Sequence, residues 1–144
     1  MKREIQDVLD NYSLYVRNKD YEGFIGQYAS NLINYDLWQA AAYNTMSSWQ
    51  TNIKKWFDGL GDEYVIVDFR DITVYESTNI AFLHGIITYQ GHSKDGDVLR
   101  AMDNRLSWGL IYLENRWKIV HEHTSLPIDE MTMHPVFNIP NEPC

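Results

Sequence analysis

The fold prediction rests on the stretch Trp117-Lys118-Ile119-Val120-His121-Glu122-His123-Thr124-Ser125-Leu126-Pro127, which carries the last strong β-strand signal of the chain. Side chains alternate between the two faces of a strand, so one face receives Trp117, Ile119, His121, His123 and Ser125. A strand that only closed a core would continue this row with Val, Ile or Leu, because a buried polar side chain without a partner costs about 1–3 kcal/mol. The row therefore predicts the wall of a partly polar cavity.

Composition predicts a single domain over residues 1–144, because 44% of these residues are hydrophobic and the length suffices for a full core. The formal net charge is −8, and the 12 basic residues form no cluster, which argues against a nucleic-acid partner. No apolar run reaches the roughly 18 residues of a membrane span, so we expect a soluble, cytoplasmic protein. The single cysteine, Cys144, is the final residue and excludes an internal disulfide.

Apolar spacing predicts three helices in the first half of the chain. The first has the buried face Ile5, Val8, Leu9, Tyr12, Tyr15 and Val16. The second follows Asp20 as N-cap and is short, with Phe24, Ile25 and Tyr28. A strand over residues 32–38 comes next, with Asn34, Asp36 and Trp38 on one side. The third helix starts after Asn44 or Thr45, ends at Gly59 or Gly61, and buries Met46, Trp49, Ile53, Trp56 and Phe57.

The second half predicts four long antiparallel strands over residues 63–75, 79–91, 98–113 and 116–125. Helices followed by strands indicate an α+β domain in which helices close one face of a strongly curved sheet. A final turn at residues 114 and 115 would pair four sets of residues: Tyr112 with Trp117, Leu110 with Ile119, Trp108 with His121, and Leu106 with His123. The proline-containing tail from Leu126 is expected to pack as an extended strap.

The order of elements and the W-x-I-x-H-x-H-x-S pattern from Trp117 to Ser125 resemble the SnoaL-like and ketosteroid isomerase-like families of the nuclear transport factor 2-like superfamily. The pattern also resembles the association domain of calcium/calmodulin-dependent protein kinase II. Further similar motifs are residues 35–37, residues 81–85 and residues 105–107. The resemblance implies a cone-shaped fold with three N-terminal helices packed on a strongly curved antiparallel sheet. This fold serves isomerases, cyclases, dehydratases and assembly modules.

The resemblance to Δ5-3-ketosteroid isomerases also implies a site. Their tyrosine on the first helix and their general-base aspartate fall on Tyr12 and Asp36 without a gap. Their acidic second donor falls on Trp108, whose indole N–H cannot protonate an enolate. His121 or His123 would then supply the second proton, since an imidazole titrates near neutrality. No cofactor and no metal is implied.

Structural interpretations of the same residues stay open. Tyr12 is also compatible with a core tyrosine, and Asp36 with a loop cap or an ion pair to Arg105. The two histidines are compatible with a hydrogen-bonded wall, and as a zinc site they lack further ligands. A catalytic Asp36 should have a strongly raised pKa, whereas an arginine-paired Asp36 should have a lowered pKa.

Two functions follow from these interpretations. One is a cofactor-independent isomerase or lyase, cyclase-like or dehydratase-like, acting on a hydrophobic cyclic carbonyl compound. The other is a ligand-binding or association domain without catalysis. The expected ligand-binding residues are Trp108, Trp38, Leu83, Leu106, Ser125 and Arg105. Both faces of the strand over residues 79–91 are apolar, with Ile80, Phe82 and Ile86 on one face, which predicts a homodimer through the outer face of the sheet.

Overall fold

The computed structural model describes residues 4–141, and in it three helices precede most of a six-stranded sheet. The helices are α1 (Ile5–Arg17), α2 (Tyr21–Ile25) and α3 (Met46–Leu60). The strands are β1 (Tyr28–Tyr35), β2 (Asn44–Thr45), β3 (Tyr64–Glu76), β4 (Ile80–His92), β5 (Val98–Leu113) and β6 (Arg116–Ser125). This order confirms the α+β class, and the four long strands agree with their predicted bounds to within about one residue.

The helices form where the sequence predicts them. The buried face of α1 is Ile5, Val8, Leu9, Tyr12 and Val16. Asp20 caps α2 by accepting a hydrogen bond from the Gly23 N–H. Tyr28 was expected in this helix but is the first residue of β1, because the glycines of the segment disfavour a longer helix. Thr45 caps α3, and Gly61 follows its end with φ of 60°, a backbone conformation that favours glycine.

The sheet has the strand order β2-β1-β6-β5-β4-β3. Neighbouring strands are antiparallel except β1 and β6, which run parallel. The inner face packs against the helices, with Leu83, Ile87, Trp108, Leu110 and Ile119 fully buried in the core. The sequence predicted Asp36 and Trp38 inside β1. The prediction is wrong, because β1 ends at Tyr35 and both residues follow it.

A β-bulge at Val120 divides β6 into two halves. Leu110 pairs with Ile119, but the preceding residue, Gly109, pairs with His121, so one extra residue is inserted. The predicted pairs of Trp108 with His121 and Leu106 with His123 are therefore wrong. Trp108 pairs with Glu122 and Leu106 with Thr124. An inserted residue exchanges the two faces of everything that follows it.

The tail after β6 first turns back on itself, with Ile128 bridging Pro135, and then runs beside the first half of β5, which β6 does not reach. Only this second part agrees with the predicted extended strap. The Ile139 N–H donates to Asp103 Oδ2 at 2.8 Å, and the Ile139 carbonyl accepts from Arg70 at 2.7 Å. The Asp103 N–H donates to the Phe137 carbonyl at 2.8 Å. Pro143 and Cys144 lie outside the described residues. Among residues 4–141, no helix is both long and apolar enough to cross a membrane.

Candidate functional site

A cavity of about 560 Å³ lies between the inner face of the sheet, α1, α3 and the tail. Most of its wall is aromatic or apolar, which suits a hydrophobic ligand. Its polar groups are few and come from separate elements. The lining residues are Tyr12, Asp36, Trp38, Gln39, Trp49, Asn52, Ile53, Trp56, Val65, Tyr89, Gly91, Arg100, Ala101, Met102, Asn104 and Phe137.

Two tyrosine hydroxyls meet at the cavity wall. The hydroxyl of Tyr12, from the middle of α1, lies 2.7 Å from the hydroxyl of Tyr89 on β4. The Tyr12 ring also packs against Phe24, Phe69 and Trp108, so this residue belongs to the core as well as to the cavity. Burial raises the pKa of both tyrosines above 10, so both hydroxyls stay protonated at neutral pH. One hydroxyl donates to the other, which leaves one hydroxyl hydrogen for a ligand.

Among residues 4–141, Asp36 supplies the only carboxyl group of the cavity lining. Its Oδ1 accepts a hydrogen bond from the Thr124 hydroxyl at 3.2 Å. Burial raises the pKa of Asp36, although hydrogen bonds from Thr124 and from the backbone oppose this effect. The alternative ion pair with Arg105 does not form, because Arg105 donates to Ser125 on the outer face at 3.0 Å. The pKa of Asp36 is thus raised rather than lowered as in an ion pair, and its role as a base stays a prediction.

The bulge places His121 and His123 on the outer face of the sheet, so their predicted position in the cavity wall is wrong. His121 Nδ1 lies 2.7 Å from the Ile33 carbonyl oxygen. Both imidazoles contact the edge or face of the Tyr35 ring, and His123 is exposed. Neither histidine is a lining residue of the cavity. Ser125 lies on the same outer face and is not a lining residue either.

Glu122 occupies the interior position that the sequence assigned to a histidine. The side chain is 3% exposed and accepts three hydrogen bonds. Oε2 accepts from the Tyr28 hydroxyl at 2.9 Å and from Trp108 Nε1 at 2.8 Å, and Oε1 accepts from Asn34 Nδ2 at 2.8 Å. Burial raises the pKa of Glu122 to about 7 against the opposing effect of these donors. The period-two pattern missed Glu122, and Gly109 was the available signal, since an internal strand glycine often marks a bulge.

The expected ligand-binding residues fall into three groups. Trp38 lines the cavity and stacks on Phe137 of the tail with ring centres 6.3 Å apart. Trp108, Leu83 and Leu106 face the interior but belong to the core behind the cavity wall, so their predicted place in the lining is wrong. Ser125 and Arg105 lie on the outer face, as described above. Phe137 was not predicted, because the docking of the tail depends on Asp103 and Arg70, which are distant in sequence.

The described residues around the cavity form no cluster of metal ligands. Within the described part of the chain, no three or more His, Cys, Asp and Glu side chains cluster in a way that could hold a metal ion. The polar groups around the cavity are hydroxyl, amide and carboxyl groups and the guanidinium group of Arg100, and they come from different elements. This set can exchange protons and hydrogen bonds with an organic ligand.

Comparison with known proteins shows the family. Residues 5–129 match the SnoaL-like domain. The chain belongs to this family. A search of curated proteins found no match.

The SnoaL-like chain is also similar to solved structures, which show its fold. A nuclear transport factor 2-like protein of unknown function from Pseudomonas putida is 21% identical, with a TM-score of 0.78 over 94% of this chain and 93% of that chain. A putative calcium/calmodulin-dependent protein kinase II association domain from Xanthomonas campestris is 14% identical, with a TM-score of 0.71 over 85% of each chain. A putative aromatic ring hydroxylase from Novosphingobium aromaticivorans is 17% identical, with a TM-score of 0.63 over 84% and 85%. The predicted nuclear transport factor 2-like fold is confirmed.

Proposed function

We propose that this SnoaL-like protein binds a hydrophobic, cyclic carbonyl compound and moves a proton on the carbon next to the carbonyl group. The observation that carries this proposal is that the Asp36 carboxyl group and the Tyr12–Tyr89 hydroxyl pair belong to one largely aromatic cavity. A cavity of about 560 Å³ falls within the range of small-molecule sites. The six aromatic lining residues favour a flat ring system over a flexible polar chain.

Asp36 is the proposed base. An ionised carboxylate accepts the proton of the carbon next to the carbonyl group, and the C–H electron pair moves into an enolate. The hydroxyl hydrogen left over by the Tyr12–Tyr89 pair donates to the enolate oxygen. Returning the proton from Asp36 to another carbon of the conjugated system gives an isomer and regenerates the carboxylate. The raised pKa of Asp36 brings the base closer to neutral pH, where proton transfer in both directions is fastest.

Hydrogen–deuterium exchange of the bicyclic ketone 2-tetralone in D₂O tests this proposal by NMR. The protein should accelerate exchange next to the carbonyl group, and Asp36→Asn should return the rate to background because an amide does not accept the proton. Either hydroxyl alone can still donate, so the double variant Tyr12→Phe/Tyr89→Phe should reduce the acceleration by about 10²-fold or more, as loss of an oxyanion donor does. Asp58→Asn, a matched change at an exposed carboxylate on α3, should leave the rate unchanged.

Two results would contradict the proposal. One is exchange that the wild-type protein does not accelerate even though 2-tetralone binding perturbs Asp36 resonances. The other is Asp36→Asn with wild-type exchange. If the ketone does not bind at all, the proposed ligand class is wrong.

We also propose that two copies associate through the outer face of the sheet, which is the alternative role of an association domain. Exposed apolar side chains on β3 and β4 support this proposal, with Tyr75 62% and Phe82 47% exposed and their rings stacked 6.2 Å apart. Ile80 extends the same patch. Sedimentation equilibrium should give a dimer that Phe82→Glu converts to a monomer, whereas Met131→Glu on the exposed tail should not. A wild-type monomer at micromolar concentration would contradict this association.

A further inference from the structure

A chain of side-chain amides connects the buried carboxyl group of Glu122 to the cavity wall. Asn34 Nδ2 donates to Glu122 Oε1 at 2.8 Å, and Asn44 Nδ2 donates to Asn34 Oδ1 at 3.1 Å. Asn52 Nδ2 then donates to Asn44 Oδ1 at 3.0 Å and to Gln39 Oε1 at 3.1 Å. Asn34 and Asn44 are buried, whereas Asn52 and Gln39 line the cavity. The three asparagines share one direction, since each donates toward Glu122.

The other carboxyl oxygen of Glu122 is committed to its own donors. Oε2 accepts from Trp108 Nε1 at 2.8 Å and from the Tyr28 hydroxyl at 2.9 Å. An indole N–H only donates, and a proton on Oε2 would require the Tyr28 hydroxyl to turn and accept it, which would leave the buried Tyr28 hydroxyl hydrogen without the acceptor that it has in the structure. The proton on Glu122 therefore belongs on Oε1, where it faces the amide of Asn34.

Protonated Oε1 and the Asn34 NH₂ group would be two donors face to face. Rotation of the Asn34 amide by about 180° resolves this conflict, because it exchanges the oxygen and nitrogen positions and leaves the side-chain shape nearly unchanged. Asn34 Oδ1 then accepts from Glu122, and Asn34 Nδ2 faces the NH₂ group of Asn44. Asn44, Asn52 and Gln39 must each turn in sequence for the same reason.

We infer that the proton on Glu122 sets the direction of the whole amide chain, so that Asn52 and Gln39 exchange donor and acceptor groups at the cavity wall when Glu122 gains or loses a proton. When Glu122 is ionised, Asn52 Oδ1 and Gln39 Nε2 take no part in the amide chain and are available to a ligand. When Glu122 is protonated, Asn52 Nδ2 and Gln39 Oε1 are available instead. This inference does not require the cavity to be catalytic.

The surroundings of Glu122 keep both forms within reach near neutral pH. The titratable groups that act on it are Asp36 after β1, Tyr28 of β1, Tyr12 of α1 and Tyr89 of β4. The three tyrosines have pKa values raised by burial and stay neutral, and the negative charge of Asp36 raises the pKa of Glu122 further. Burial is the largest cause and brings the pKa of Glu122 to about 7.

The amide chain couples ligand binding at Asn52 to proton uptake by Glu122, so that each changes the other. A ligand that presents a carbonyl oxygen to Asn52 favours the direction in which Asn52 Nδ2 is available, and so favours protonated Glu122. A ligand that presents a hydroxyl hydrogen to Asn52 favours ionised Glu122. The same cavity wall thus favours a ligand with a hydrogen-bond acceptor at lower pH and a ligand with a hydrogen-bond donor at higher pH.

An NMR titration of the full-length wild-type protein without a ligand tests this inference. The side-chain carboxyl carbon of Glu122 and the side-chain amides of Asn34, Asn44, Asn52 and Gln39 are followed from about pH 5 to 9. All of these resonances should move with one common midpoint, and the exposed amide of Asn115 should not move with it. In Asp36→Asn the four amides should still follow Glu122, which excludes a direct effect of the Asp36 charge.

Glu122→Gln supplies the matched fixed state. Its amide oxygen fits the Trp108 and Tyr28 donors, and its NH₂ group faces Asn34 as the protonated acid does. The four amide resonances should match those of the wild type at low pH and should not titrate. If this variant does not fold, Asn52→Ala replaces it: Asn34 and Asn44 should still follow Glu122, and Gln39 should not.

Three results would overturn the inference. The first is a wild-type Glu122 that does not titrate in this range. The second is a Glu122 that titrates while the amides of Asn52 and Gln39 stay fixed. The third is Glu122→Gln with amide resonances that match the wild type at high pH.

Discussion

The two faces of β6 differ sharply after the bulge at Val120. The inner face presents Glu122 and Thr124. Glu122 accepts from Tyr28, Asn34 and Trp108. The Thr124 hydroxyl accepts from the Leu37 N–H and donates to Asp36. The outer face presents His121 and His123, which touch the Tyr35 ring. Within the described part of the chain, their side chains have one hydrogen bond, from His121 to the Ile33 carbonyl group. The inner polar groups thus belong to a connected network, whereas the outer ones are placed mainly by ring contacts.

This difference shows that one inserted residue decides which chemistry meets the cavity. Without the bulge, imidazoles would face the interior and a carboxyl group would face outward. With it, the interior receives a carboxyl group whose donors come from β1 and β5, and the histidines leave the site.

Glu122→Leu should have the largest effect. It leaves the donors of Tyr28, Asn34 and Trp108 buried without an acceptor, at about 1–3 kcal/mol each, so the free energy of unfolding should fall by about 3 kcal/mol or more. Urea denaturation measures this loss. A loss below about 1 kcal/mol would mean that Glu122 has no such network.

The dependence of the free energy of unfolding on pH should report the ionisation of Glu122. Its pKa is raised from an ordinary value of 4.5 to about 7, so the folded state binds this proton more tightly than the unfolded state. The resulting stabilisation is fully present below about pH 4.5 and is lost as pH rises to about 7, with a size of about 3 kcal/mol. Urea denaturation of Glu122→Gln should lack this loss. Equal pH slopes for both proteins between these limits would contradict the assignment.

Deletion of Val120 should be tolerated, with a loss of about 1–2 kcal/mol. Val120 is the extra residue, so its removal leaves Ile119 and Glu122 inward and restores regular alternation. Deletion of Lys118 is the matched control and should prevent folding, because Lys118 lies in the regular half of the strand. Circular dichroism and thermal denaturation distinguish the two. A Val120 deletion that fails to fold while the Lys118 deletion folds would place the bulge elsewhere.

Replacement of the histidines should have the smallest effect. His123→Leu should change the free energy of unfolding by less than about 0.5 kcal/mol because His123 is exposed. His121→Leu should cost about 1 kcal/mol through the bond to the Ile33 carbonyl group. Neither should alter 2-tetralone exchange. A selective loss of exchange in either variant would indicate that this histidine lines the cavity after all.

The regular elements were predictable because they repeat a simple period. The apolar spacing from Ile5 to Val16 predicted α1, and the alternatives Asn44 or Thr45 and Gly59 or Gly61 included the two caps of α3, Thr45 and Gly61. The turn at residues 114 and 115 also gave the correct pairing of Leu110 with Ile119. These features depend on residues close in sequence, so local rules suffice.

The site was only partly predictable because it depends on departures from that period and on long-range contacts. Tyr12 and Asp36 were placed in the cavity as expected, and their catalytic roles stay predictions. Glu122 was missed because a bulge of one residue reverses every later side chain, and no local pattern required it. The amide chain joins β1, β2 and α3, so its members could not be grouped before the fold was known.

A nuclear Overhauser experiment on the Trp108 indole N–H tests the central claim most directly. The structure predicts a cross-peak to the side-chain protons of Glu122, since the indole nitrogen lies 2.8 Å from Glu122 Oε2. It predicts no cross-peak to the imidazole protons of His121. A cross-peak to His121 without one to Glu122 would show that β6 has no bulge at Val120, and would contradict the inward carboxyl group on which this account depends.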